Sequence, residues 1–164
     1  MTHHIVVMGV SGCGKSTIAA MLAERLDLEY VDADWLHPKS NVEKMQRGSP
    51  LEDEDRWPWL RAIAARMQEL RARGRGCVVA CSALKRAYRD VLRDGRDDVR
   101  FVHLDGPAEA IAPRVSGRDG HFMPASLLAS QFAALEPLQP DESPIVVSVE
   151  LTPADIVEAV VTSL

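Results

Sequence analysis

The stretch GVSGCGKS, residues 9–16, constrains this chain more than any other. It fits the pattern G-x-x-x-x-G-K-[ST] without a mismatch. It also lies between the apolar run HIVVM (4–8) and a helical pattern, the context in which that pattern has physical meaning. Gly9, Gly12 and Gly14 let the backbone curl so that its N–H groups, those of Ser11 and Cys13 included, face an anion. The helix that follows adds the positive end of its dipole. Lys15 has the length to reach the β- and γ-phosphates of a nucleotide, and the Ser16 hydroxyl is a ligand for Mg²⁺. Thr17, one residue further, is a weaker candidate for a phosphate contact.

A strand running through such a loop into a helix opens an α/β fold, and the rest of the chain repeats the alternation. Strands are expected at 4–8, 28–32, 77–82, 99–105 and 145–150. Three of these are rich in Val and Ile without clean alternation, as in parallel strands covered on both faces. Helical patterns fill about 15–27, 39–47, 55–73, 84–94, 107–117, 124–135 and 152–163, which predicts a parallel sheet with right-handed crossovers. No repeat, low-complexity tract or linker divides the 164 residues, so a single domain is expected. Pro113 should kink or restart its helix, and SGRDG (116–120) reads as a loop. His3 and His4 read as a frayed terminus or strand edge.

Composition narrows the partners. Asp and Glu number 24 against 19 Lys and Arg, a net charge of −5, which argues against a broad nucleic-acid surface. Any phosphate site must therefore be local. No apolar run approaches the ~18 residues of a membrane span, and the N-terminus lacks the features of a signal peptide. Cys13, Cys77 and Cys81 show no paired zinc spacing. Cys77 and Cys81 fall on one face of a buried strand and read as core thiols, in keeping with the cytoplasm.

Beyond the loop, YVDAD (30–34) places Asp32 and Asp34 at the end of the second strand, the edge where open α/β sheets bind ligands. Asp32 suits a Mg²⁺ held through water, and Asp34 suits the orientation or deprotonation of an attacking hydroxyl. Three further segments are dense in polar and aromatic groups. DWLHPKSNVEKM (34–45) carries His37, Lys39 and Lys44, PLEDEDRWPWL (50–60) carries Arg56, and CSALKRAYRD (81–90) carries Lys85, Arg86 and Arg89. The cations of the last segment stand at the start of a helix, against its dipole, and so predict a bound anion. Lys85 and Arg89, four apart, are expected on one helical face. Lys39, Lys44 and Arg86 read as surface charge.

These segments, with MGVSGCGKST and GHFMPASLLASQFAALEP, make the chain resemble the gluconokinases almost end to end. The resemblance implies a three-layer P-loop kinase fold with a five-stranded parallel sheet, flanking helices and a mobile lid at about 113–124. It implies transfer of phosphate from ATP, with Mg²⁺, to D-gluconate, and a homodimer. Asp34 matches the carboxylate expected at the acceptor hydroxyl, while His37, Arg56, Lys85, Arg89 and His121 are assigned to gluconate. For Arg56, a bidentate grip on the carboxylate suits a planar guanidinium. Arg114 and Arg118 belong to the lid, Arg118 beside the transferring phosphoryl group and Arg114 near the nucleotide. Thr152 and Pro153, after the fifth strand, are expected near adenine. The lid departs from the family's continuous helix with a basic residue near 117, since Pro113, Ser116 and Gly117 intervene. Rival readings are another small P-loop kinase, acting on shikimate or a nucleoside monophosphate, and a non-catalytic ATP-binding regulator. No N-K-x-D guanine signature supports a GTPase.

Overall fold

The computed structural model describes the backbone of residues 3–116 and 125–164, and the side chains of 3–113 and 128–164. Five strands form one parallel sheet: β1 (His4–Met8), β2 (Glu29–Asp32), β3 (Cys77–Ala80), β4 (Val99–Asp105) and β5 (Ile145–Ser148), in the order β2-β3-β1-β4-β5. Seven helices are described: α1 (Lys15–Leu26), α2 (Lys39–Gln46), α3 (Asp53–Ala72), α4 (Arg86–Arg93), α5 (Ala108–Ser116), α6 (Ala125–Ala134) and α7 (Pro153–Ser163). Short 3-10 turns span Ala33–Leu36 and Pro140–Glu142.

The central strand shows why the apolar runs do not alternate with polar residues. Ile5 and Val7 face one core with α1, α5, α6 and α7, while Val6 and Met8 face a second core with α3 and α4. Both faces are dry, so both parities must be apolar. On the second face α3 contributes Trp59, Leu60, Ile63, Met67 and Leu70, and burial of each is worth about 1.5–3 kcal/mol. Cys77 and Cys81 share that core, where burial pushes both thiols up to about 12. They are packing residues and stay protonated.

Two expectations are corrected here. α5 runs through Pro113 to Ser116 without restarting. Pro113 forfeits its own N–H bond and crowds the Glu109 carbonyl, a local cost the helix bears, while its exposed ring asks nothing of the core. α3 tolerates Pro58 in the same way: the helix begins two residues earlier than expected, and Pro58 is exposed inside it. His4, expected at a frayed end, is fully buried in β1, its Nδ1 3.7 Å from the Cys77 sulfur and its Nε2 3.9 Å from an Asp98 oxygen. The other element ends lie within two residues of those expected.

Topology creates the site. β1 and β3 are neighbours, yet β1 leads into α1 on one face and β3 leads toward α4 on the other. The loops part between them and open a crevice at the carboxyl edge.

Candidate active site

The loop after β1 can follow only one path. Gly9 has φ 145°, and a Cβ there would stand 2.9 Å from the Leu104 carbonyl and 2.8 Å from the Cys13 sulfur. Its N–H donates to the Ser82 carbonyl at 3.2 Å, which ties the loop to the end of β3. Gly14, at φ 98°, turns the chain into α1 without a side-chain cap, and the first turn of α1 carries no acidic residue. The N–H groups that begin α1 are thus left for an anion, with the helix dipole behind them. Lys15 Nζ donates to the Val10 carbonyl at 3.1 Å, inside its own loop.

Two cavities flank this loop. The outer one, about 280 Å³, is lined by Ser11, Lys15 and Ser16 from the loop, and by Asp32, Asp34, His37 and Arg56 opposite. Trp59, Ser82 and Gln131 complete its polar lining. The second, about 210 Å³, lies between Cys13, Gly14 and Thr17 on one side and Leu151, Pro153 and Ile156 on the other. The glycine loop therefore separates a polar chamber from a largely apolar one.

In the polar chamber each group is fixed by a local device. Asp32 Oδ1 accepts the Asp34 N–H at 2.9 Å, which caps the 3-10 turn and leaves the exposed Asp34 carboxylate lining the chamber. The Tyr30 hydroxyl donates to Asp32 Oδ2 at 3.4 Å. His37 stacks on Trp59, ring centroids 4.2 Å apart and planes 11° from parallel, while Trp59 Nε1 donates to the Ala33 carbonyl at 2.7 Å.

Asn41 Nδ2 donates to the Asp55 carbonyl at 2.8 Å and lies 3.3 Å from His37 Nδ1. That nitrogen of His37 is consequently the acceptor, and the neutral ring carries its proton on Nε2. Burial holds His37 below its ordinary value, with Arg56 adding to the effect and Asp34 opposing it.

Burial likewise depresses His4 and His103. A histidine kept neutral by folding contributes stability above its unfolded value near 6.5, and that contribution is lost as pH falls through the depressed folded value. The thermal midpoint should therefore fall between about pH 7 and pH 5, before the carboxylates titrate. Calorimetry across that range checks it; a flat midpoint would mean that the three rings reach water.

Arg56 lines the chamber, with Nη1 3.4 Å from the Tyr88 hydroxyl and 3.5 Å from Asp53 Oδ1. Lys85 is not in the lining. It stands behind Arg56, 3.4 Å from both Asp53 oxygens. Asp53 also accepts the Tyr88 hydroxyl, and that bond is the main cause of its lowered pKa. Lys85 is the residue before α4, not part of a face shared with Arg89.

Arg89 must be withdrawn from the acceptor set. It is wholly buried, Nε donating to Glu142 Oε1 at 2.7 Å, with Nη1 on the Ala83 and Leu84 carbonyls and Nη2 on the Glu136 carbonyl. Ala83 has φ 46°, an unfavourable region for alanine, and Arg89 braces that turn from inside. Arg86 is likewise satisfied by Asp141, at 2.9 and 3.0 Å, and by Asp90. The anions these two arginines await are the chain's own. Lys44 pairs with Asp55 at 2.7 Å, and Lys39 is exposed, as expected.

Arg118 and His121 lie outside the described residues, as do the side chain of Arg114 and most of the expected lid. Among the described residues no cluster of three or more His, Cys, Asp or Glu forms a metal site. Sequence reasoning missed Tyr30, Asp53, Trp59, Tyr88 and Gln131.

A phosphate loop set between two cavities at the switch point of a parallel sheet defines a P-loop kinase, and the shikimate kinase family profile matches residues 11–162. Relatives resolve this further. A gluconokinase of Gluconobacter oxydans (strain 621H) is 48% identical over 157 residues, covering 96% of this chain and 88% of that protein. Among solved structures, a sugar kinase from Janibacter sp. HTCC2649 superposes with TM-score 0.91 at 55% identity, over 99% of this chain and 94% of that one. A gluconokinase from Sinorhizobium meliloti 1021 gives TM-score 0.88 at 43% identity, over 98% and 90%. The chain belongs to the gluconokinase family.

Proposed function

We propose that the protein transfers the γ-phosphoryl group of ATP to the 6-hydroxyl of D-gluconate. The observation that carries this reading is the polar chamber. It brings a phosphate loop, an exposed carboxylate at Asp34 and an unburied arginine at Arg56 into one space of about 280 Å³. Phosphates would lie on the N–H groups of residues 9–17, with the nucleoside end in the apolar chamber beside Thr17, Leu151 and Pro153. Gluconate would take the polar chamber, its carboxylate toward Arg56, with Lys85 in support behind Asp53. His37 Nε2–H is a donor for a sugar hydroxyl.

The 6-oxygen attacks phosphorus in line. The new O–P bond forms as the bond to the β,γ-bridging oxygen breaks, ADP leaves, and the hydroxyl proton passes to Asp34. Lys15 meets the charge that gathers on the transferring oxygens. Ser16 and Asp32 supply hydroxyl and carboxylate oxygens in the same chamber, a donor set that suits Mg²⁺. When bound, that ion offsets charge on the β- and γ-oxygens. Arg118 and His121 enter this scheme on the resemblance alone, as do Arg114 and the homodimer. A cytoplasmic site rests on the reading of Cys77 and Cys81 as core thiols, and both are buried; no described helix is long and apolar enough to cross a membrane.

Replacing Arg56 with Ala should raise the KM for gluconate at least about tenfold while that for ATP stays within about twofold, because a charged hydrogen bond worth ~1.5–3 kcal/mol is lost on one substrate only. Steady-state kinetics with each substrate varied in turn checks this. Equal effects on both would remove Arg56 from the acceptor site.

A further inference from the structure

Gln131 lies in α6, and its side chain crosses to the phosphate loop. Its Oε1 accepts the Ser11 backbone N–H at 2.6 Å, and its Nε2 donates to Ser11 Oγ at 2.9 Å. Ser11 belongs to the polar chamber, whereas Cys13, Gly14 and Thr17 face the apolar one. The Ser11 N–H is thus a loop donor on the side where the terminal phosphoryl group must lie for transfer. That donor already has a partner, a neutral carbonyl oxygen of the right size to imitate a phosphoryl oxygen.

We propose that Gln131 is a placeholder for the γ-phosphoryl group. A nucleoside triphosphate displaces Oε1 from Ser11 N–H, and a diphosphate, which ends one phosphate short, leaves the contact intact. Gln131 then distinguishes charged from spent nucleotide and passes that difference to α6. The physical warrant is competition: loop N–H groups bind phosphate because they lack other partners, and here one such group has a partner that ATP must replace. The cost falls on the triphosphate alone.

The proposal rests on the nucleotide reading above but not on the identity of the acceptor, so it is tested by binding without acceptor. Titrations with ADP and with the β,γ-imido analogue of ATP are made on the wild-type chain, Gln131→Leu and Gln131→Glu. Unfolding midpoints are recorded for each. Leucine keeps the bulk and removes the competing acceptor, so affinity for the triphosphate analogue should rise about three- to tenfold relative to ADP. Glutamate keeps an acceptor and sets a negative charge against the γ-phosphoryl group, so the same ratio should fall tenfold or more. ADP binding should stay within about twofold in both, since its contacts lie deeper in the loop.

Opposite shifts in the two variants are what a placeholder predicts. If both nucleotides weaken together in both variants, Gln131 is a brace that shapes the loop, and the proposal fails. An unchanged ratio in both variants also overturns it. Should the leucine variant not fold, Gln131→Ala, which also lacks the competing acceptor, takes its place, and a ratio that does not rise there overturns the proposal. A wild-type chain that bound neither nucleotide would overturn the nucleotide reading and the placeholder with it. Failure of gluconate as acceptor, with nucleotide binding intact, would leave the placeholder standing.

Discussion

Replacing Lys15 with Ala should lower kcat for phosphoryl transfer by at least about a thousandfold while leaving the fold intact. Removing one preorganised donor from a developing oxyanion costs about 10²–10³ in rate, and Lys15 carries a full charge in addition. Structure gives little reason for instability: its ammonium donates only to the Val10 carbonyl, and the side chain is half-buried at the rim of the polar chamber. Lys15→Arg should not restore activity, since a planar guanidinium does not fit a cradle built for a compact ammonium. Single-turnover measurements at saturating substrates, with circular dichroism as the control on folding, check both variants. Near-normal turnover in Lys15→Ala would remove the loop from the chemistry.

The second large effect is on stability. Arg89→Ala should cost about 3 kcal/mol, the low end for a broken buried pair, because Glu142 loses its buried partner and keeps only Arg86 at 3.6 Å and the Gln139 N–H. Burial pushes the Glu142 pKa up, yet the hydrogen bonds of Arg89 and of the Gln139 N–H outweigh it, and the group sits below its ordinary value. A carboxylate lowered by folding stabilises above its unfolded pKa and loses that contribution in acid, so the deficit of the variant should shrink as pH falls below about 4. The substitution also frees the strained turn at Ala83 and unpins the Glu136 carbonyl. Urea unfolding at pH 7 and at pH 3.5 measures both. A loss under about 1 kcal/mol would mean that Glu142 reaches solvent once its partner is gone.

What could and could not be read from the sequence separates along one line. The phosphate loop, the five strands and the paired aspartates are local patterns: glycine spacing, apolar runs and two residues on one strand end. The strands lie within two residues of those expected, and Asp32 and Asp34 stand at the end of β2 beside the loop. Arg89 failed because its partner is 53 residues away, and nothing local distinguishes a buried arginine from one that waits for substrate. Spacing of four suggested a face shared with Lys85, but α4 starts one residue too late for that. Gln131 is 120 residues from Ser11 and sits in the helical stretch SQFAAL, where a lone glutamine reads as surface. Pro113 does not restart its helix, because one lost N–H bond is a local cost that the remaining turns of α5 span.

The account stands or falls on the acceptor. ADP release from MgATP should be measured with D-gluconate, with shikimate, with nucleoside monophosphates and with no acceptor. Strong stimulation by gluconate alone, with 6-phosphogluconate as the product, is the predicted result. Silence with gluconate and turnover with another acceptor would contradict it, and would keep the phosphate loop while discarding the assignment of Asp34, His37 and Arg56 to a sugar acid.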